Sequence, residues 1–270
     1  MLRVVSFAVG ACYIAVFVLY LRMFFKEGSR SARYARSASI AAVIFHALYL
    51  ATVSSTLNHP PITGPYESMS TLAILLAAFH LFMEKQTESR FPGVAVFAVA
   101  FLLQLASSFL ISTQPADLPM TRNVIFVAHV LLALMGYTAF TIAFLYSIMY
   151  LLMHREIRSG SFSLLYRRLP SIEELDDMNY LASLNGLVLL LISLILGGVW
   201  SYVNFAELPV HDPKVLLTVF AVVVYVTVLV FKLMFGWHGR RIAVASICAF
   251  LLVVSSLVIA NFLPYSFHGM

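Results

Sequence analysis

Residues 123–153 read NVIFVAHVLLALMGYTAFTIAFLYSIMYLLM, thirty-one positions without one Asp, Glu, Lys or Arg. A helix of that length reaches ~46 Å, beyond the ~30 Å hydrocarbon core of a bilayer. A transmembrane helix that tilts or projects past the membrane is therefore predicted here. The rest of the chain carries the same signature. Of its 270 residues, 61% are apolar and only 11% are charged, and the mean hydropathy is +0.94. Such a composition excludes a large soluble domain and defines an integral membrane protein.

Apolar runs long enough to cross a bilayer lie near 4–24, 37–57, 67–84, 93–113, 123–153, 178–203, 215–235 and 242–263. The sequence thus predicts an all-α integral membrane protein, a bundle of eight transmembrane helices forming one domain over 1–270. The first run is too long for a signal peptide, and no small-residue cleavage site precedes the charged stretch Arg22 to Arg36. Loop charge sets the orientation, because cytoplasmic loops retain Lys and Arg. Arg22, Lys26, Arg30, Arg33, Arg36, Lys85, Arg90, Arg155, Arg158, Arg167, Arg168, Lys232, Arg240 and Arg241 fall on one side, against Arg3, Arg122 and Lys214 on the other. With an even number of spans, this bias predicts both termini outside. The cytoplasmic loop 154–177 is the only sizeable inner loop. In it Ser171 and Glu174 have capping-box spacing and predict a short amphipathic surface helix.

Cys12 and Cys248 are isolated in apolar runs, with no C-x-x-C, so a disulfide framework, a zinc site and a self-attached c-type haem are unsupported. The eight histidines sort by position. His154 and His238 lie in basic inner loops. His46 and His80 lie inside helices, where an unpartnered imidazole is costly. For His46 the expected role is a packing hydrogen bond to a hydroxyl such as Ser54 or Ser107 or to a neighbouring backbone, ahead of a ligand role. His80 is one turn from Glu84 and is expected to bond there. The helix centres lack Asp and Glu, which argues against a proton-coupled pump or a charged-ring channel.

His59, His129, His211 and His268 lie at the outer face. His129 opens the fifth span, and His268 follows the eighth after Leu263-Pro264-Tyr265-Ser266-Phe267. Two neutral imidazoles at one membrane depth can supply both axial ligands of a haem iron. Trp200, Tyr202 and Phe205, in the outer loop 200–214, offer an apolar surface for a porphyrin, and Lys214 and Arg122 are cations available to carboxylates at its rim. His211 is an alternative ligand, with Asp212 beside it to orient the ring.

Five pieces of the chain resemble the CcsA/HemX branch of the cytochrome c assembly family. They are His129 through Tyr137 to Tyr150-Leu151-Leu152; Pro60-Pro61-Ile62 with Tyr66-Glu67-Ser68; Leu169-Pro170-Ser171 with Leu175-Asp176 and Asn179-Tyr180; Gly197-Gly198-Val199-Trp200; and Gly236-Trp237-His238-Gly239-Arg240-Arg241. The resemblance implies that His129 and His268 flank a tryptophan-rich outer segment, the WWD segment, and hold haem b outside the membrane. Trp200 matches the opening of that segment and Asp212-Pro213-Lys214 its close. The loop here is shorter, lacks the inner tryptophans, and has His211 where the family has tryptophan. A histidine of the following helix is also missing near Val230. The pattern is therefore closer to HemX-like members.

The resemblance implies a protein of the bacterial inner membrane, surrounded by lipid, that handles haem with a ResB/CcsB-like membrane partner and apocytochrome c. It would not be an enzyme by itself but a subunit of a cytochrome c haem lyase, with no nucleic-acid partner. Two alternatives stand beside this expectation. One is a regulator of haem biosynthesis whose dipolar inner loop, Arg155, Arg158, Arg167 and Arg168 followed by Glu173, Glu174, Asp176 and Asp177, docks a soluble enzyme such as glutamyl-tRNA reductase. The other is a small-molecule transporter with a cavity lined by Gly136, Gly197-Gly198, Gln104, Asn185 and Asn261.

Overall fold

The structure is a computed structural model that describes the backbone of all residues except 26–28, 63, 88–89, 111–118, 209 and 263–270. The helices are α1 (Leu2–Phe25), α2 (Ser29–Leu57), α3 (Pro65–Thr87), α4 (Pro92–Leu110), α5 (Val124–Ser159), α6 (Leu164–Arg168), α7 (Ile172–Phe205), α8 (Pro213–Met234) and α9 (Arg240–Phe262). A 3₁₀ turn, Pro119–Arg122, precedes α5. Among the described residues seven helices are long and apolar enough to cross a membrane. They are α1 to α5, α7 and α8, and they coincide with the first seven predicted spans. The eighth predicted span falls on α9, a 23-residue helix that is not one of the seven.

The chain divides into two compact units, Met1–Asn123 with Phe162–Pro170, and Val124–Ser161 with Ser171–Met270. In the first, α1 packs on α2 and α4, while α3 packs on α2 and α4. The buried face of α1 repeats every three or four residues: Ser6, Val9, Tyr13, Val16, Tyr20 and Met23, the spacing of a helix stripe turned toward neighbours.

Polar groups on that face find partners inside the bundle, as hydrocarbon surroundings require. The Tyr13 hydroxyl donates to His46 Nδ1 at 2.7 Å, and His46 Nε2 donates to Ser70 Oγ at 2.9 Å. Ser70 in turn donates to Gln104 Oε1 at 2.8 Å, and the Gln104 amide donates to Ser6 Oγ at 2.9 Å. Ser70 accepts from His46 and donates to Gln104, so one chain of bonds joins α1, α2, α3 and α4. His46 thus has the packing role expected of it, but its partners are Tyr13 and Ser70 rather than Ser54 or Ser107. The reason is rotational: the His46 side of α2 faces α1 and α3.

A second buried cluster lies two turns along α1. Tyr20 donates to Glu84 Oε2 at 2.6 Å, His80 Nε2 stands 3.5 Å from the same oxygen, and Arg90 Nε is 3.5 Å from Oε1. Gly93 makes room for it, since a Cβ there would lie 2.6 Å from both the His80 and Tyr20 rings.

In the second unit α5 packs along α7 and α9, and α8 bridges α7 and α9. Glycine permits the closest approach. A Cβ on Gly136 would meet the Gly186 carbonyl oxygen at 3.1 Å, and one on Gly186 would meet the Phe140 ring at 2.6 Å. Small residues serve this purpose in membrane helices because they bring backbones into van der Waals contact. Above the glycines Phe140 stacks on Tyr225 of α8, centroids 3.7 Å apart. The Asn179 amide donates to the Ala143 carbonyl at 2.8 Å and accepts from Ser246 at 3.1 Å.

The Ser171–Glu174 capping box is present, Ser171 N–H to Glu174 Oε2 at 2.9 Å and Glu174 N–H to Ser171 Oγ at 3.1 Å. It opens the 34-residue α7 itself rather than a separate surface helix. The apolar run that follows lets the helix continue without a break. The non-helical part of the inner loop shrinks to residues around the five-residue α6.

Gly186→Leu is expected to destabilise the second unit by about 1–3 kcal/mol through overpacking, read as a lowered midpoint of unfolding in detergent. His46→Leu strands the Tyr13 and Ser70 hydroxyls and is expected to cost about 1–2 kcal/mol. A wild-type midpoint for His46→Leu would show that the relay does not hold the first unit together.

Candidate functional site

Four residues of α7, at positions 193, 197, 200 and 201, share one helix face by their spacing of three and four. That face meets His129 of α5. The His129 Nδ1–H donates to the Ser193 carbonyl at 2.7 Å, and Ser193 Oγ lies 3.0 Å from the same nitrogen. The Ser193 hydroxyl donates back to the His129 carbonyl at 2.8 Å. A backbone carbonyl accepts only, so this bond assigns the ring proton to Nδ1 and makes Nε2 the basic nitrogen. A histidine that donates one N–H to a carbonyl is oriented and tautomerically fixed in the way metal-ligating histidines are.

Gly197 is the seat of the ring. A Cβ at this position would lie 2.7 Å from His129 Cε1 and 2.8 Å from Nδ1. Any side chain here would push the imidazole off Ser193. One turn further, Trp200 is buried and packs on Phe126 of α5, centroids 4.9 Å apart, while Phe205 meets the indole edge-on at 5.5 Å. His129, Gly197, Gly198, Trp200, Leu208 and Val215 are among the walls of a cavity of about 190 Å³. Pockets that enclose a whole drug-sized ligand span roughly 300–1,000 Å³. The cavity is therefore too small to enclose a drug-sized ligand whole.

α7 ends at Ala206, in the left-handed region at φ 55°, with its N–H bonded to the Tyr202 carbonyl. Past that reversal Leu208 and Val210 also line the cavity. Asp212 is buried immediately before Pro213, the first residue of α8, and its carbonyl accepts from Leu216 N–H at 3.0 Å. It anchors the end of the loop.

The predicted site residues thus fall into groups. His129 and Trp200 come together in the cavity wall. Tyr202, 63% exposed, points away from the buried face of α7, and His211 is exposed in the loop. The Lys214 backbone is in the first turn of α8, its side chain lying outside the described residues. Arg122 is exposed at the end of the 3₁₀ turn, in the first compact unit. His268 lies outside the described residues. Among the described residues no three His, Cys, Asp or Glu side chains converge on a possible metal ion.

Sequence reasoning missed Ser193 and the seating role of Gly197. The signal was present in a lone serine within an apolar run, four residues before Gly197 and seven before Trp200.

A family model described as "Cytochrome C assembly protein" matches residues 62–268. The fold and this site belong to a multi-pass helical membrane protein, and the chain is a member of that family. Among its relatives is Protein HemX of Brevibacillus brevis, 26% identical over 218 residues, covering 79% of each chain. Another is the cytochrome c biogenesis protein CcsA of Prochlorococcus marinus (strain MIT 9312), 29% identical over 238 residues, 78% of this chain and 76% of that one. Protein HemX of Bacillus subtilis (strain 168) is 29% identical over 128 residues, 47% of this chain and 46% of its own.

Gly197→Val is expected to displace His129 and admit water beside Trp200 without altering helix content. In a Trp237→Phe background, where Trp200 is the only tryptophan, its emission should move to the red while circular dichroism is unchanged. An unshifted spectrum would mean that Gly197 does not seat the ring.

Proposed function

We propose that this protein holds haem b at the extracytoplasmic face of a bacterial inner membrane, as a haem-handling component of cytochrome c assembly. The observation that carries the reading is the His129 imidazole. Its Nδ1 proton is committed to the Ser193 carbonyl, Nε2 is basic, and the ring stands in an apolar cavity beneath Trp200. A neutral imidazole of defined tautomer beside an aromatic wall suits an axial haem ligand. Family membership and the printed names of the relatives support the same reading.

In this proposal His129 and His268 would hold the haem iron, with His211 the alternative for one of them. The chain has eight spans, α9 being the last, and both termini outside. Trp200 and the apolar cavity wall meet the porphyrin, and Tyr202 extends that surface beyond the cavity. Lys214 meets a propionate, while buried Asp212 holds the loop in register at the start of α8. The bound haem supplies iron redox chemistry and a vinyl edge for attachment to a protein thiol. The residues of this chain bind it, orient it and exclude water; none is assigned as nucleophile or general base, so attachment belongs to a partner such as a ResB/CcsB-like protein acting with apocytochrome c.

Regulation of haem synthesis through the inner loop is the second reading, motivated by the charged residues of that loop, of which Arg167 on α6 is exposed. In that reading the loop docks a soluble enzyme such as glutamyl-tRNA reductase.

Protein purified with haem is expected to show the Soret and α bands of a low-spin bis-histidine centre. His129→Ala should convert it to a high-spin or weakly bound form, the His129→Ala, His268→Ala double variant should abolish it, and His211→Ala should leave it intact. A spectrum indifferent to His129 refutes the assignment. Replacing residues 160–169 with a Gly-Ser linker should leave cytochrome c maturation unchanged; loss of a haem-biosynthetic enzyme instead would favour regulation.

A further inference from the structure

We propose that the pocket between the C-terminal end of α5 and the start of α9 binds the phosphate of an anionic lipid headgroup. It is separate from the His129 cavity, and its lining includes Arg155, Arg158, His154 and Arg240, with Leu151 and Val244 as its apolar side, around a volume of about 400 Å³. That volume falls in the roughly 300–1,000 Å³ range of small-ligand sites.

Three features make it a built site. First, three guanidinium groups and an imidazole line it without an acidic residue, and none of the three arginines is ion-paired among the described residues. Guanidinium forks match phosphate oxygens in pairs. Second, the walls are fixed. Gly239 at φ +64° turns the chain into α9, and a Cβ there would collide with the Tyr150 hydroxyl. Tyr150 stacks on His154, centroids 6.2 Å apart and planes 14° apart. Third, Arg240 is the first residue of α9, and a helix start carries partial positive charge on its free N–H groups.

Lipid is favoured over a free anion by position. Leu151 and Val244 each lie within about one turn of the basic residues on their own helices, where the apolar part of the span begins. A diacyl phosphate can satisfy both surfaces at once, its phosphate on the arginines and its chains along α5 and α9. Basic pockets between membrane helices on the cytoplasmic side recognise anionic headgroups in this way, and the orientation proposed above puts this pocket on that side.

The test is native mass spectrometry of the full-length protein released from nanodiscs containing equal phosphatidylglycerol and phosphatidylcholine. Phosphatidylglycerol should be retained preferentially. Arg155→Gln, Arg158→Gln and Arg240→Gln should each weaken retention about fivefold, while Arg167→Gln, outside the pocket, should not. Melting temperatures confirm that each variant is folded. Equal retention of the two lipids, or retention unaffected in all three variants, would overturn the proposal. So would full displacement of the lipid by inorganic phosphate, which would identify a site for a free anion.

Discussion

The bond from His129 to the Ser193 carbonyl organises everything around the cavity. In an α-helix that carbonyl normally accepts from the N–H four residues on, which here belongs to Gly197. The histidine can add its own N–H only because Gly197 has no side chain to block the approach. One missing Cβ therefore fixes the tautomer of His129, its distance from α7 and its place beneath Trp200. The Ser193 hydroxyl returns a bond to the His129 backbone, so neither helix can rotate without breaking two contacts.

The rest of the second unit is consistent with that demand for close packing. Gly136 and Gly186 let α5 and α7 touch backbone to backbone nearer their middles, and Asn179 and Ser246 tie α5, α7 and α9 together toward the other end. In hydrocarbon there is little hydrophobic drive between helices, so packing and interhelical hydrogen bonds must hold them. A site that depends on a ring being placed to within a few tenths of an ångström needs a pair of helices already locked along their length.

The first unit solves the same problem differently. Its four helices are joined by a relay of hydroxyl, imidazole and amide groups running from Tyr13 through His46, Ser70 and Gln104 to Ser6, and by a separate cluster around Glu84. His46 and Glu84 are the residues that in isolation most suggest ion or proton chemistry. Each is instead held by neighbours, His46 on both ring nitrogens and Glu84 on Oε2 by Tyr20, with Arg90 beside Oε1. Their partners come from helices distant in the chain, which explains why the residue type alone was ambiguous.

Sequence alone determined the helical membrane class, the positions of seven spans and the Ser171–Glu174 cap, and it singled out His129 and Trp200, which the fold brings into one cavity wall. These follow from one-dimensional quantities: the length of apolar runs, the spacing of caps, and the cost of an imidazole in lipid. It did not reveal that the cap opens a 34-residue helix, that Tyr13 and Ser70 hold His46, or that Ser193 and Gly197 position His129. Those depend on how each helix is rotated about its axis, and nearly uniform apolar helices carry little amphipathic signal to set rotation. Only contacts between helices decide it, here through the few glycines and hydroxyls that cannot be buried in any other orientation.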